Sequence, residues 1–363
     1  MWAPNELSEI IVVFCKIWTF FDLPVYKLET TNAKKRFKNK PAFYYFTVLS
    51  MLLLGVVFYL IFFPQENSLN YYSLLLQYFI IYGQSIGTVI YSQMKRKDFE
   101  DIFNDLLLME EKIHEFGQTN TNYHTLGKQI VACVVLQSVL VLLATAFDVY
   151  LNMDSGPYRM YISGYYLGVL TSYHFGFFLL VMPVIIVKLF NDFISSIKEQ
   201  TTEYIVEIYL DLFKLAKRIF QTLQGFILLK ITTTFTTTTM DLFHCSYSLE
   251  IIEIPFVVGL IMVIGNVLLT MTTLLLDFAM FFYYHLILEK KKILSDIVKK
   301  NETNFYKNKK VDLVYLQLHQ KPTTFMVCGL FPMNCSLGFS MIAGITTYVI
   351  YLVQFTPKSD IMF

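Results

Sequence analysis

Charge is scarce in this 363-residue chain: charged residues make up 16% of it, against 55% hydrophobic, and the net charge is +1. Soluble domains usually run near a quarter charged, so an ordinary water-soluble domain is excluded. A net charge of +1 gives no ground for a nucleic-acid partner. Cysteine is also sparse. Cys15, Cys133, Cys245, Cys328 and Cys335 form no CxxC pair, so they read as buried small hydrophobes rather than a disulfide or metal framework. No phosphate-cradling glycine loop, paired histidine ligands or GxSxG elbow occurs, so neither an enzyme nor a cofactor is expected. Tryptophan is nearly missing, at 2 residues, whereas Phe and Tyr number 34 and 25.

What the chain does have is long apolar runs. A membrane-spanning helix needs about 20 mostly apolar residues, and seven stretches qualify: 42–63, 71–91, 129–151, 161–187, 223–249, 256–285 and 331–355. They are numbered below as spans 1 to 7. None shows strand alternation, so the fold class expected is an all-α membrane protein of seven helices, not a barrel. Span 5 contains ITTTFTTTTMD, Ile231 to Asp241. Threonine is a poor helix former in water, but its hydroxyl can bond a carbonyl one turn back, and a helix is expected there too. The N-terminal IIVVFCKIWTFF is short and holds Lys16, and it lacks the basic start of a signal peptide. It reads as an interfacial or peripheral amphipathic helix.

Lys and Arg set the orientation. Seven precede span 1, five lie between spans 2 and 3, nine between spans 6 and 7, and six between spans 4 and 5 when Lys230, inside span 5, is counted with them. The other side holds Arg159 and Lys358 alone, so the tally is 27 against 2. The expectation is a cytosolic N-terminus and an extracellular C-terminus. The sequon Asn301-Glu302-Thr303 then falls on the cytosolic side and goes unused.

Loops on the basic side are long. Residues 92–126 and 188–222 carry helical periodicity, the latter through Phe193, Ile197, Ile205, Ile208, Leu212, Leu215 and Ile219, and 309–322 is a third amphipathic stretch. Together they predict a cytosolic helical anchor layer, with span 4 running on, turning and returning as span 5. The basic clusters Lys290 to Lys292 and Lys307 to Lys310 read as positive-inside anchoring. No internal repeat or Pro/Gly linker divides the chain. The expected organisation is one domain over 1–363, with spans 1–6 in 42–285, an anchor segment at 286–330 and the last helix at 331–355.

Polar residues inside the spans are the candidates for function. Asp148, Asp241 and Asp277 lie in spans 3, 5 and 6. A charge at mid-bilayer costs about 2.5–3.5 kcal/mol on insertion scales, so such groups face a cavity or a partner. Asp241 and His244 are three apart on one helix face and read equally as an internal network or a ligand contact. A structural role is the more common one for Asp277 and for a lone His such as His174. Aromatics cluster toward the outer halves of the spans: Tyr78, Tyr82, Tyr161, Tyr165, Tyr166, Tyr173 and Tyr247. An interfacial belt accounts for Tyr71, Tyr72, Tyr161 and Tyr247 but less well for Tyr173, His174 and Thr239, which lie deeper. The candidate ligand contacts are Tyr82, Tyr173, His174, Thr239 and Asp241.

Span 7 ends in TYVIYLVQF. On a helical wheel, Ala343, Thr347, Ile350 and Gln354 share one stripe, Tyr348, Tyr351 and Phe355 a second, and Ile345, Val349 and Leu352 form an apolar back. A lipid-facing glutamine is unfavourable, so the first stripe faces water or a partner. Small and polar groups with one branched aliphatic suit a pore wall, which several copies around a closed symmetry axis can enclose.

Thr347-Tyr348, five hydrophobic residues, then Gln354-Phe355 resembles the terminal signature of insect gustatory receptors. So do residues 311–344, VDLVYLQLHQKPTTFMVCGLFPMNCSLGFSMIAG, and LQGFILLK at 223–230; the detailed likeness covers roughly 210–355. The resemblance implies a tastant-gated non-selective cation channel in the plasma membrane, assembled as a homotetramer or with other gustatory receptor subunits. It implies a pore lined by the seventh helices, with Thr347, Ile350, Gln354 and Phe355 at the pore or gate. It implies an outward-facing pocket among spans 2 to 6 for a small tastant, a bitter-type plant compound or a sugar. Two rival readings are a G-protein-coupled receptor and a secondary transporter. The first would place the N-terminus outside and carry Asp-Arg-Tyr and Asn-Pro-x-x-Tyr signatures, absent here. The second would show internal repeats and broken helices.

Overall fold

The computed structural model describes residues 6–20, 25–31, 34–40, 69–117, 123–151, 156–197, 202–248, 256–302 and 324–355. Span 1, the amphipathic stretch 309–322 and the cluster Lys307 to Lys310 lie outside them. The elements are α1 (Leu7–Phe20), β1 (Val25–Thr31), β2 (Lys34–Lys40), α2 (Leu69–Met94), α3 (Arg96–Gly117), α4 (His124–Leu151), α5 (Gly156–Ser196), α6 (Thr202–Ser248), α7 (Phe256–Glu302), β3 (Met326–Val327), β4 (Phe331–Pro332) and α8 (Cys335–Phe355). Spans 2 to 7 correspond to α2, α4, α5, α6, α7 and α8. Among the described residues, His124–Ala144, Gly168–Ser196, Val263–Ile297 and Cys335–Gln354 are long and apolar enough to cross a membrane.

The threonine run is helical. Thr232, Thr236, Thr237 and Thr239 each donate to the carbonyl four residues back, at 2.7–3.0 Å. Those bonds satisfy the hydroxyls within the helix, which is how a β-branched polar run persists among apolar neighbours. Polarity also points inward on α2 and α6. Gln77, Gln84, Ser85 and Thr88 of α2 are buried with Thr233, Thr234, Thr238 and Thr239 of α6, while Leu76, Phe79 and Ile90 are exposed. Lipid on the outside and hydrogen-bonding partners inside favour this arrangement.

At the basic end, α5 runs to Ser196 and α6 starts at Thr202, the continuous turn-and-return expected from the periodicity. Phe193, Ile205, Ile208, Leu212, Leu215 and Ile219 are buried, and Ile197 packs against the same core. The amphipathic α3 buries Phe99, Ile102, Phe103, Leu106, Met109, Ile113 and Phe116. Its polar edge is tied to α6: Arg218 bonds both Asp101, at 3.1 Å, and Asp105, and Lys112 meets Asp211 at 2.9 Å. The Asp211 carboxylate holds the Lys112 ammonium above the usual lysine range.

The sequence did not suggest a β-hairpin before span 1, yet β1 and β2 pair antiparallel, with Thr31 opposite Lys34. Alternation buries Tyr26 and Phe37 against Phe103 of α3, at ring separations of 5.2 and 5.7 Å. Asn104 clamps the strand by accepting from Phe37 N at 2.8 Å and donating to Phe37 O at 3.1 Å. The helix α1 departs from a lipid-interface reading: its apolar face, Leu7, Ile10, Ile11, Phe14 and Cys15, is buried in protein, with Phe14 on Phe177 and Phe178 of α5. Its amphipathicity is spent on the core.

Two further expectations need correction. Cys133 and Cys328 are exposed rather than buried, because Cys133 lies on the outer side of α4 and Cys328 in a tight turn. Span 7 becomes helical at Cys335, four residues later than 331, because Phe331 and Pro332 form β4. The turn between β3 and β4 holds Cys328 and Gly329 at φ 48 and 74, and Asn334 then caps α8 by accepting from Leu337 N at 3.2 Å. Gln224 and Gly225, in the LQGFILLK stretch, position this region. Gln224 Oε1 accepts from Cys328 N at 3.3 Å, and the missing side chain of Gly225 admits the Tyr91 ring.

Candidate functional site: a cavity in the helix bundle and the face of the last helix

Four helices line a partly open cavity of about 80 Å³. One water needs roughly 10–15 Å³ on this measure, so the space suits a small organic molecule. The helix α2 contributes Ile81, α5 contributes Tyr166, Val169, Ser172 and Tyr173, and α7 contributes Leu269 and Thr273. From α6 come Thr233, Thr234 and Thr237, with Lys230 at one end and Asp241 at the other. Eleven residues separate those two, about 16 Å along a helix.

The five candidate contacts part company here. Tyr173 and Asp241 line the cavity. The Tyr173 hydroxyl donates to Leu269 O at 2.9 Å and lies 3.0 Å from Thr273 Oγ1, which fixes the ring against α7. Asp241 is held by Gln77 Nε2 at 2.5 Å on one oxygen and Thr270 Oγ1 at 3.1 Å on the other. Of the two readings weighed for Asp241, the internal network linking α2, α6 and α7 is on view. Tyr82 is behind the wall, packed with Val141, Tyr166 and Tyr173. His174 turns toward α4, its Nε2 3.3 Å from Ser138 Oγ, and Thr239 bonds back to Phe235. The side chains of Tyr78, Asp148, Tyr161, Tyr165, His244, Tyr247 and Phe355 lie outside the described residues.

Sequence reasoning missed Lys230, counting it as an anchoring cation. It is 3% exposed, inside the bundle. Its chain crosses Gly176 of α5, where a Cβ would stand 2.9 Å from Lys230 Cε, and its Nζ is 5.8 Å from the Tyr173 ring centroid. Asp277 of α7 lies at a similar depth, also 3% exposed and one turn past Thr273, which meets the Tyr173 hydroxyl. The available signal was position: Lys230 falls eight residues into span 5, too deep for a loop.

In α8 the apolar back meets its own chain. Ile345 is 3% exposed, and Val349 and Leu352 are half-buried. Two glycines seat neighbouring rings: a Cβ at Gly338 would lie 2.5 Å from Phe278 of α7, and one at Gly344 would lie 3.0 Å from Phe235 of α6. Ala343, Thr347, Ile350 and Gln354 are all exposed on the other side, as are Tyr348 and Tyr351.

A bundle of long apolar helices with a polar-lined cavity, running into an amphipathic helical layer, defines a multi-pass membrane fold. The sequence pattern of the family described as 7tm chemosensory receptor matches residues 10–359, and the chain belongs to that family. Among solved structures, the insect olfactory receptor OR5 from Machilis hrabei is similar with a TM-score of 0.68 over 96% of this chain and 98% of that one. Identity is 12%, so this likeness shows the fold. No curated protein sequence matches. Neither finding favours the G-protein-coupled or transporter readings. The protein is thus a chemosensory receptor of the plasma membrane, not of an enzyme family.

Proposed function

We propose that the chain is a gustatory receptor: a tastant-gated, non-selective cation channel that works as a tetramer, alone or with related subunits, around a pore lined by α8. The N-terminus is then cytosolic and the C-terminus extracellular. The observation that carries this reading is the exposed stripe of Ala343, Thr347, Ile350 and Gln354, opposite a back packed onto α6 and α7. A polar stripe on an apolar helix at the surface of a single chain needs water or other copies to face. The gustatory assignment, rather than an olfactory one, rests on the Thr347-Tyr348 to Gln354-Phe355 signature. Tastant binding in the bundle cavity connects to the pore through Phe235 of α6 and Phe278 of α7, which stand on cavity-lining helices and meet the glycine notches of α8.

Patch-clamp recording from cells expressing the chain, challenged with sugars, alkaloids and amino acids, tests the reading. Unitary cation currents evoked by a compound of the panel are expected. Silence across the panel, with surface expression verified and related subunits co-expressed, counts against it.

A further inference from the structure

The ammonium of Lys230 is a buried donor without an assigned use. Among the described residues it meets no hydrogen-bond acceptor and no carboxylate within 4.0 Å, yet it lines the cavity. Asp241, the other charged group on the wall, is already engaged at both oxygens. Lys230 is therefore the strong polar feature still open to an occupant. Farther along the wall, toward Asp241, stand Ile81, Tyr166, Val169 and Leu269, among the hydroxyls of serine and threonine. Those rings and aliphatic groups suit a compact carbon skeleton, and Lys230 at the end of the cavity suits one placed polar atom on it.

The charge of that atom follows from Asp277, which is 3% exposed and one turn past Thr273, whose hydroxyl meets that of Tyr173, the ring that Lys230 faces at 5.8 Å; one of the Asp277 oxygens has no hydrogen-bond partner among the described residues. Lys230 and Asp277 together are neutral. An anionic head would leave the buried site with an uncompensated negative charge, which is costly. A neutral oxygen accepts a charge-assisted hydrogen bond without that penalty. We infer that Lys230 is the specificity-determining residue of the cavity, donating to the neutral carbonyl oxygen of a small, largely aromatic or alicyclic ligand, with Asp277 discriminating against carboxylates. This rests on the reading of the cavity as the tastant pocket.

Three compounds with nine non-hydrogen atoms each isolate the head group: acetophenone, its hydrocarbon isostere α-methylstyrene, and benzoate. Binding to purified full-length protein is measured for wild type, Lys230→Met, Asp277→Asn and Thr237→Phe, the last filling the cavity. Acetophenone is expected to bind wild type at least about tenfold tighter than α-methylstyrene, with benzoate weakest. Lys230→Met is expected to abolish that preference while leaving α-methylstyrene unchanged, which also certifies an intact cavity. Asp277→Asn is expected to strengthen benzoate, a gain that mere structural damage does not produce. Equal affinities in wild type, a preference that survives Lys230→Met, or no benzoate gain in Asp277→Asn overturns the inference and leaves the pocket standing where Thr237→Phe blocks binding. Absence of binding, or binding indifferent to Thr237→Phe, removes the pocket reading and the inference with it.

Discussion

At the scale of single residues, the same chemistry serves different ends depending on what surrounds it. Asp241 and Lys230 are both intramembrane charges on α6, but Asp241 is bonded on both oxygens and Lys230 opens to the cavity. Asp241→Asn keeps size and one acceptor while losing the charge that Gln77 and Thr270 satisfy. The expected result is a loss of about 1–3 kcal/mol in unfolding stability, read as a lower thermal midpoint in detergent, with a smaller change in ligand preference than Lys230→Met gives. In α8, Gln354→Ala and Ile350→Ala are expected to alter basal leak, cation permeability ratios or blocker sensitivity. Wild-type conductance and selectivity in both variants would remove these two residues from the pore.

Elements are held by burial far more than by their surface ion pairs. Lys112 and Asp211 are each about a third exposed, so Lys112→Met is expected to cost only about 0–1 kcal/mol. Leu212 of α6 is fully buried. Leu212→Asp places an unpaired charge there and is expected to cost several kcal/mol, seen as lost oligomer on native gels; normal tetramer yield would contradict it. The fit of α8 is tested by Gly338→Ala, whose Cβ would overlap Phe278, against Gly83→Ala, where nothing lies within 4 Å. The first is expected to destabilise by about 1–3 kcal/mol or shift the dose–response curve. The second is expected to be silent in both.

At the scale of the whole molecule, the surface of α8 is unfinished in one chain. Phe339, Ile350 and Tyr351 are 69%, 50% and 54% exposed, on a helix whose opposite face is packed. Closing identical copies around an axis covers such a surface. Ile350→Cys is expected to form a covalent dimer under mild oxidation of membranes, whereas Ile345→Cys, turned into its own chain, is not. A ladder from Ile345→Cys or none from Ile350→Cys on non-reducing gels would place the axis elsewhere. A C-terminal tag labelled on intact cells checks the orientation, and a tag reached only after permeabilisation reverses it.

The sequence by itself determined the spans 2 to 7, the amphipathic helix α3, the α5-to-α6 return and the stripes of α8, because each is written in a local period that lipid or a protein core must satisfy. The run Phe193 to Ile219 shows this: its spacing alone names the buried face. Only the tertiary structure decided which polar groups meet. Gln77 reaches Asp241 across 164 residues of chain, Tyr173 reaches Leu269 across 96, and His174 turns away to Ser138. Helix rotation and neighbour choice fix those pairings, and neither leaves a periodic trace. The hairpin β1–β2 was illegible for the same reason: its short strands are stabilised by Asn104 and Phe103 on a helix far along the chain. Lys230 is a lysine like those of the basic loops until α5 supplies Gly176 for its stem and the Tyr173 ring for its ammonium.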